Sequence, residues 1–302
     1  MRTLIAVALA ASVVGGCANF GAVSEFARET NALTDTVRTE FTQLDRLCVQ
    51  QAELVIVVNN IQDDGPLKDC EHYKSAEGRL AGVTVDVLDA YARALTALAD
   101  DRSFDLSSNL KNVAGKLHGL KNKDGAPLVN PKEVGALSAV VDVLFDVATA
   151  TRRDAAVKRL IDEAPNLAIS GNVLRSFFVE SADAPPGRTK APYRNFVAIA
   201  NSSVTSTELS LRGPALRQAE PIRTAELYRE LQARKALFRQ RVGNSPDSVP
   251  VKVAAAIDSW QRALEKFSEE ALKPDPKDLR DRLKDLREKA TTARRAVAGE
   301  NN

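Results

Sequence analysis

The sequence predicts an all-α fold, a bundle of long antiparallel helices, and three observations predict it. Apolar residues recur every three or four positions over long runs that end at proline, glycine and Asn/Asp clusters. Aromatic residues make up only 5% of the chain, so the core must be mostly Leu, Val and Ala, which suits thin helical layers better than a β-sandwich. Strand signals are weak: the best of them, Leu54-Val55-Ile56-Val57-Val58, lies inside an unbroken helical stripe, where tertiary context overrides a modest helix propensity.

The elements follow in order. A first helix is expected from Ala18 to Ile61. Val23, Phe26, Thr30, Leu33, Val37, Phe41, Leu44, Cys48, Ala52, Val55 and Val58 form its single apolar stripe, and past Gly21 the run holds neither proline nor glycine. Gln62-Asp63-Asp64-Gly65-Pro66 breaks it with turn chemistry. A second helix, Glu71 to Ala99, turns Leu80, Val83, Val87, Leu88, Tyr91, Leu95 and Leu98 inward and forms an antiparallel hairpin with the first. Asp100 to Pro131 is less regular, with a short helix over Ser107 to Leu117 and loop signals at Lys121-Asn122-Lys123-Asp124-Gly125 and Asn130-Pro131. Helix resumes at Lys132 and either runs on to Glu163 or breaks near Thr151. Pro165 starts another, since proline suits the first helical turn, and Val173, Leu174, Phe177 and Phe178 give it a heavy apolar end. Pro185-Pro186-Gly187 is the clearest internal break and allows two sub-bundles, over residues 17–184 and 185–302. The second half holds four helical patterns: Ala191 to Leu211, Pro221 to Val242, Val251 to Leu272 and Lys277 to Val297.

The first sixteen residues have a different character. Arg2 is followed by an uncharged, mostly apolar run from Leu4 to Val14 and two small residues, the three-part layout of a secretory signal peptide. The run is short for a transmembrane helix, which needs about twenty residues. Val14-Gly15-Gly16-Cys17 resembles the lipobox of bacterial lipoproteins. The resemblance implies cleavage before Cys17 and acylation of its thiol with diacylglycerol and palmitate-type chains. It implies membrane attachment through that lipid, with the body on the periplasmic side. Ala18, where retained lipoproteins carry aspartate, implies the outer membrane.

Export bears on the other two cysteines. Cys48 and Cys70 are an even pair in an oxidising compartment and are expected to form one disulfide. The connection must then fold back along the first helix. The charge balance excludes another class of partner. Lys and Arg number 42 against 40 Asp and Glu, a formal net charge of +2. Arg2 is the one charged residue before Cys17, so the mature chain carries about +1, with no global footprint for nucleic acid.

No motif carries catalysis or a cofactor. The two histidines, His72 and His118, lack a second histidine or free cysteine at metal-ligand spacing. There is no Gly-x-Ser-x-Gly elbow and no Gly-x-x-x-x-Gly-Lys loop. The carboxylate pairs Asp63-Asp64, Asp100-Asp101 and Glu269-Glu270 sit at turns or helix ends, where adjacent carboxylates point apart. In the mixed-charge run from Lys277 to Arg287, Asp278 with Arg282 and Asp285 with Lys289 are expected to pair along one helix. The sequence thus points to a non-enzymatic, metal-free and cofactor-free lipoprotein, acting first as a structural or adaptor module for a protein partner in the envelope. The alternative is a carrier of a small apolar or envelope-derived ligand between helices, and behind it a cell-wall hydrolase.

Overall fold

A computed structural model describes residues 20–59, 64–70, 76–100, 107–120, 128–150, 152–180, 207–213, 221–242 and 246–299, with positions 192, 193, 197 and 205. The signal segment, Cys17, His72 and the break at Pro185 lie outside the described residues. Among the described residues the fold is all-α, with ten helices and no strand. None of these helices is long and apolar enough to cross a membrane.

Helix α1 spans Phe20–Asn59 and is the axis of the molecule. Its predicted stripe is buried at Val23, Phe26, Thr30, Leu33, Val37, Leu44, Cys48 and Ala52, and the β-branched run from Leu54 is helical. Forty residues at 1.5 Å each make it about 60 Å long. Its many threonines fit because Thr30, Thr36, Thr39 and Thr42 each donate to the carbonyl one turn back, at 2.8–3.0 Å.

The turn expected at Gln62 to Pro66 is instead partly a one-turn helix, α2 (Gly65–Asp69), with the proline in its first turn. Proline lacks the N–H that this position leaves unpaired, so Pro66 suits the start of α2. This turn carries Cys70 back to Cys48, and the two sulfurs lie 2.08 Å apart, at bonding distance.

Helix α3 (Ala76–Ala99) returns antiparallel to α1. Arg38 meets Asp86 and Asp89 midway. At the far end the Arg153 guanidinium sits 3.7 Å over the Phe20 ring and donates to the Ala99 carbonyl. Helices α4 (Ser107–His118) and α5 (Pro131–Ala148) flank α3. Asn130-Pro131, expected as loop, is the start of α5: the Asn130 side chain accepts from Lys132 N at 3.0 Å, and proline occupies the first turn. Of the two alternatives after Lys132 the chain takes the break, closing α5 at Thr149 and opening α6 (Arg153–Asp162). Helix α7 (Ala164–Phe178) begins with Pro165 in its first turn, as its sequence predicts.

Helices α8 (Pro221–Val242), α9 (Val249–Glu270) and α10 (Lys277–Ala298) complete the fold. The last two form an antiparallel hairpin that lies on α1 and α7. Phe26 of α1 stacks on Phe267 of α9 at 4.1 Å. The fully buried Trp260 donates to Thr30 Oγ1 at 3.0 Å. Glu29, almost fully buried, accepts from Arg287 of α10 at 2.9 Å. Helices α7 and α9 come close because residue 171 is glycine, where a Cβ would meet the Gln261 side chain at 2.8 Å. Leu279, Leu283, Leu286, Ala290 and Ala293 form the inward seam of α10, so its leucines face this chain's own core. Asp285, expected to pair with Lys289, feels that lysine's charge and makes its hydrogen bonds across the hairpin, accepting from Ser259 at 2.5 Å and Arg262 at 3.1 Å.

Candidate functional site

An open cleft of about 480 Å³ lies between α1, α3 and α4. Helical periodicity builds it. Arg38 and Phe41 stand one turn apart on α1, Arg79, Gly82, Val83 and Asp86 form one strip along α3, and Lys116 and Gly119 lie a turn apart at the end of α4. Val85 completes the apolar wall. Three facing strips leave a trough whose floor is apolar and whose rim is charged.

The floor is held from below. Phe41 meets Phe177 edge-on at 5.2 Å and stacks against Phe178 at 6.0 Å. Tyr193 packs on Phe178 at 5.4 Å and donates to the buried Glu40 at 3.0 Å. The neighbour of Phe41 on α1 is thus tied into the same aromatic cluster that supports the cleft.

Gly82 makes the room. A Cβ built there meets nothing within 4 Å, so no packing contact demands a glycine. Glycine inside a helix costs about 0.5–1 kcal/mol relative to alanine. The residue lowers the stability of α3 and leaves space in the cleft.

The rim carries three cations and one carboxylate. Asp86 accepts from Lys116 at 2.7 Å and from Arg38 at 3.4 Å. Arg38 also lies 3.4 Å from Asp35 and 3.7 Å from Asp89. Arg79 has no carboxylate partner among the described residues and donates only to the Gly119 carbonyl, at 3.4 Å. The Asp86–Lys116 pair also lines a smaller, more polar cavity of about 180 Å³ with Asp89, Arg93, Asn109 and Asn112.

The residues singled out by sequence do not converge here. Cys48 and Cys70 join each other at the far end of α1. His118 borders a separate hollow of about 100 Å³ with Val134, Ser138 and Asp142. Asp64 binds Lys68 at 2.7 Å, and Glu269 binds Lys266 at 2.7 Å; these lysines hold both carboxyls below their ordinary range. Arg38, Arg79, Asp86 and Lys116 carry no motif, since three helices have to fold together before they meet. Gly82 did carry a signal, an isolated glycine inside a strong helical pattern.

No protein-family model, no curated protein and no solved structure matches this chain.

Proposed function

We propose that this protein is a lipid-anchored carrier of the periplasmic face of the outer membrane, holding a small ligand in the cleft between α1, α3 and α4. The observation that carries the reading is the cleft itself. Its volume of about 480 Å³ lies within the 300–1,000 Å³ of small-molecule sites, which combine apolar walls with a few placed polar groups. Phe41, Val83 and Val85 supply the wall, and Arg38, Arg79, Lys116 and Asp86 the polar groups. An adaptor, the first expectation from sequence, would use an exposed face and is the rival that the test below separates. The lipobox-like Val14-Gly15-Gly16-Cys17 supports the anchor. A disulfide-competent Cys48–Cys70 pair suits an oxidising compartment.

The test is native mass spectrometry of the protein extracted from its own envelope, beside a Gly82→Trp variant whose indole fills the trough. A co-purifying small molecule that is lost from the variant is the expected result. An empty wild-type cleft, together with a protein recovered by crosslinking in the same envelope, would return the adaptor reading.

A further inference from the structure

The rim chemistry narrows what the cleft takes. Resting on the carrier reading above, we infer that the ligand is a single-chain amphiphile with one negative charge, a carboxylate head on an unbranched hydrocarbon body. Two of the three rim cations already have acidic partners. Lys116 is bound to Asp86, and Arg38 is shared among Asp35, Asp86 and Asp89. Arg79 is the cation left over. One spare guanidinium matches a monoanion, and its planar fork fits a carboxylate in two parallel hydrogen bonds. A dianionic phosphate would need a second spare cation, which the described rim does not hold.

The body of the ligand follows from the strip on α3. Arg79 lies one turn before Gly82 and Val83, so a head on Arg79 sends its chain along the trough over Gly82 toward Phe41. The open space over Gly82 is where the chain would lie on backbone, without a side chain in the way. The side chains of Phe41, Val83 and Val85, which line the cleft, carry no hydrogen-bonding group, which suits methylenes and leaves a sugar or peptide unsatisfied. The trough has room for one chain of moderate length, and a two-chain lipid exceeds it.

Calorimetric titration of the full-length protein, below the micellar limit of each probe, tests this with dodecanoate, dodecanol, dodecylamine and dodecyl phosphate. Dodecanoate should bind at least tenfold more tightly than dodecanol, and dodecylamine not measurably. Arg79→Gln should weaken dodecanoate about tenfold and change dodecanol less than twofold, whereas Arg79→Lys should restore part of the loss. Arg79 is exposed, so these variants fold, which circular dichroism checks. Equal affinity for acid and alcohol, an unaffected Arg79→Gln variant, or tighter binding of dodecyl phosphate would overturn the assignment while leaving a carrier in place. If no probe binds, the amphiphile assignment falls, and the carrier reading is decided separately by whether a small molecule co-purifies with wild type and is lost from Gly82→Trp.

Discussion

At the scale of single residues, the buried polar groups are the most demanding features. Trp260 has no exposed surface, and its indole N–H has one acceptor, Thr30 Oγ1. That hydroxyl in turn donates to the Phe26 carbonyl at 2.9 Å. Thr30→Val keeps the shape and removes the acceptor. A buried donor left without a partner costs about 1–3 kcal/mol, so the variant should lose that much in urea denaturation with an unchanged slope. Thr30→Ser keeps the hydroxyl and should lose less. Gly82 gives the opposite sign. With open space over it, Gly82→Ala should stabilise the protein by about 0.5–1 kcal/mol, measured by the same titration. A destabilised Gly82→Ala would show that the helix needs glycine there for a reason other than space. Residue-scale legibility in the sequence was uneven for a physical reason. Trp260 and Phe267 fall on a helical stripe and read as core at once. Thr30 sits in the stripe of α1 as a polar member, yet its role depends on an indole 230 residues away.

At the scale of elements, the sequence and the structure agree best where a helix is long and amphipathic. Helices α1, α8, α9 and α10 begin and end within two residues of their expected bounds. The period of 3.6 and the proline and glycine stops are local signals, so one sequence carries them. The differences arise where one residue type serves two ends. Pro66 and Pro131 read as breaks, and both open a helix, because a proline that cannot sit inside a helix is well placed in its first turn. Pairing between helices is not local, and it adds Ser259 and Arg262 of α9 to the Lys289 charge that Asp285 already feels on its own helix. Those donors, the Ser259 hydroxyl first, hold the Asp285 carboxyl below its ordinary range. A depressed folded-state pKa contributes stability that is present above the unfolded value of about 3.9 and is lost as pH falls through the folded value. Asp285→Asn should therefore flatten part of the acid limb of a stability–pH curve below about pH 4, and an unchanged limb would remove this contact from the acid response. The Cys48–Cys70 pair closes a loop of 22 residues between α1 and the end of α2. Loop entropy assigns such a bridge about 3 kcal/mol. A reducing agent should lower the melting temperature of wild type and leave a Cys48→Ala/Cys70→Ala double variant unmoved.

At the scale of the whole molecule, the question is how many units unfold. The break at Pro185 suggests two sub-bundles, and the described core bears directly on how they would behave. The C-terminal hairpin is inserted against α1 and α7: Phe267 on Phe26, Trp260 on Thr30, Arg175 on Asp258 at 2.7 Å, and Arg287 on Glu25 and Glu29. One hydrophobic cluster runs from Val23 through Leu174 to Val297. Removing α9 and α10 would uncover Phe26 and Thr30 along a helix of about 60 Å, and a helix of that length has little stability without its apolar face covered. Cooperative unfolding requires that no large part be stable without the rest. Calorimetry should therefore give a single transition whose calorimetric and van't Hoff enthalpies agree. A chain truncated after Glu180 should lose that transition instead of retaining a smaller one. Two resolved peaks, or a truncated chain that melts cooperatively at its own temperature, would mean that the halves fold separately and only dock. The cleft lies on α1, α3 and α4, on the N-terminal side of that break. If the halves are one cooperative unit, the hairpin, which does not line the cleft, still holds α1 in place beneath it, and Thr30→Val should weaken any dodecanoate binding only where it also populates the unfolded chain.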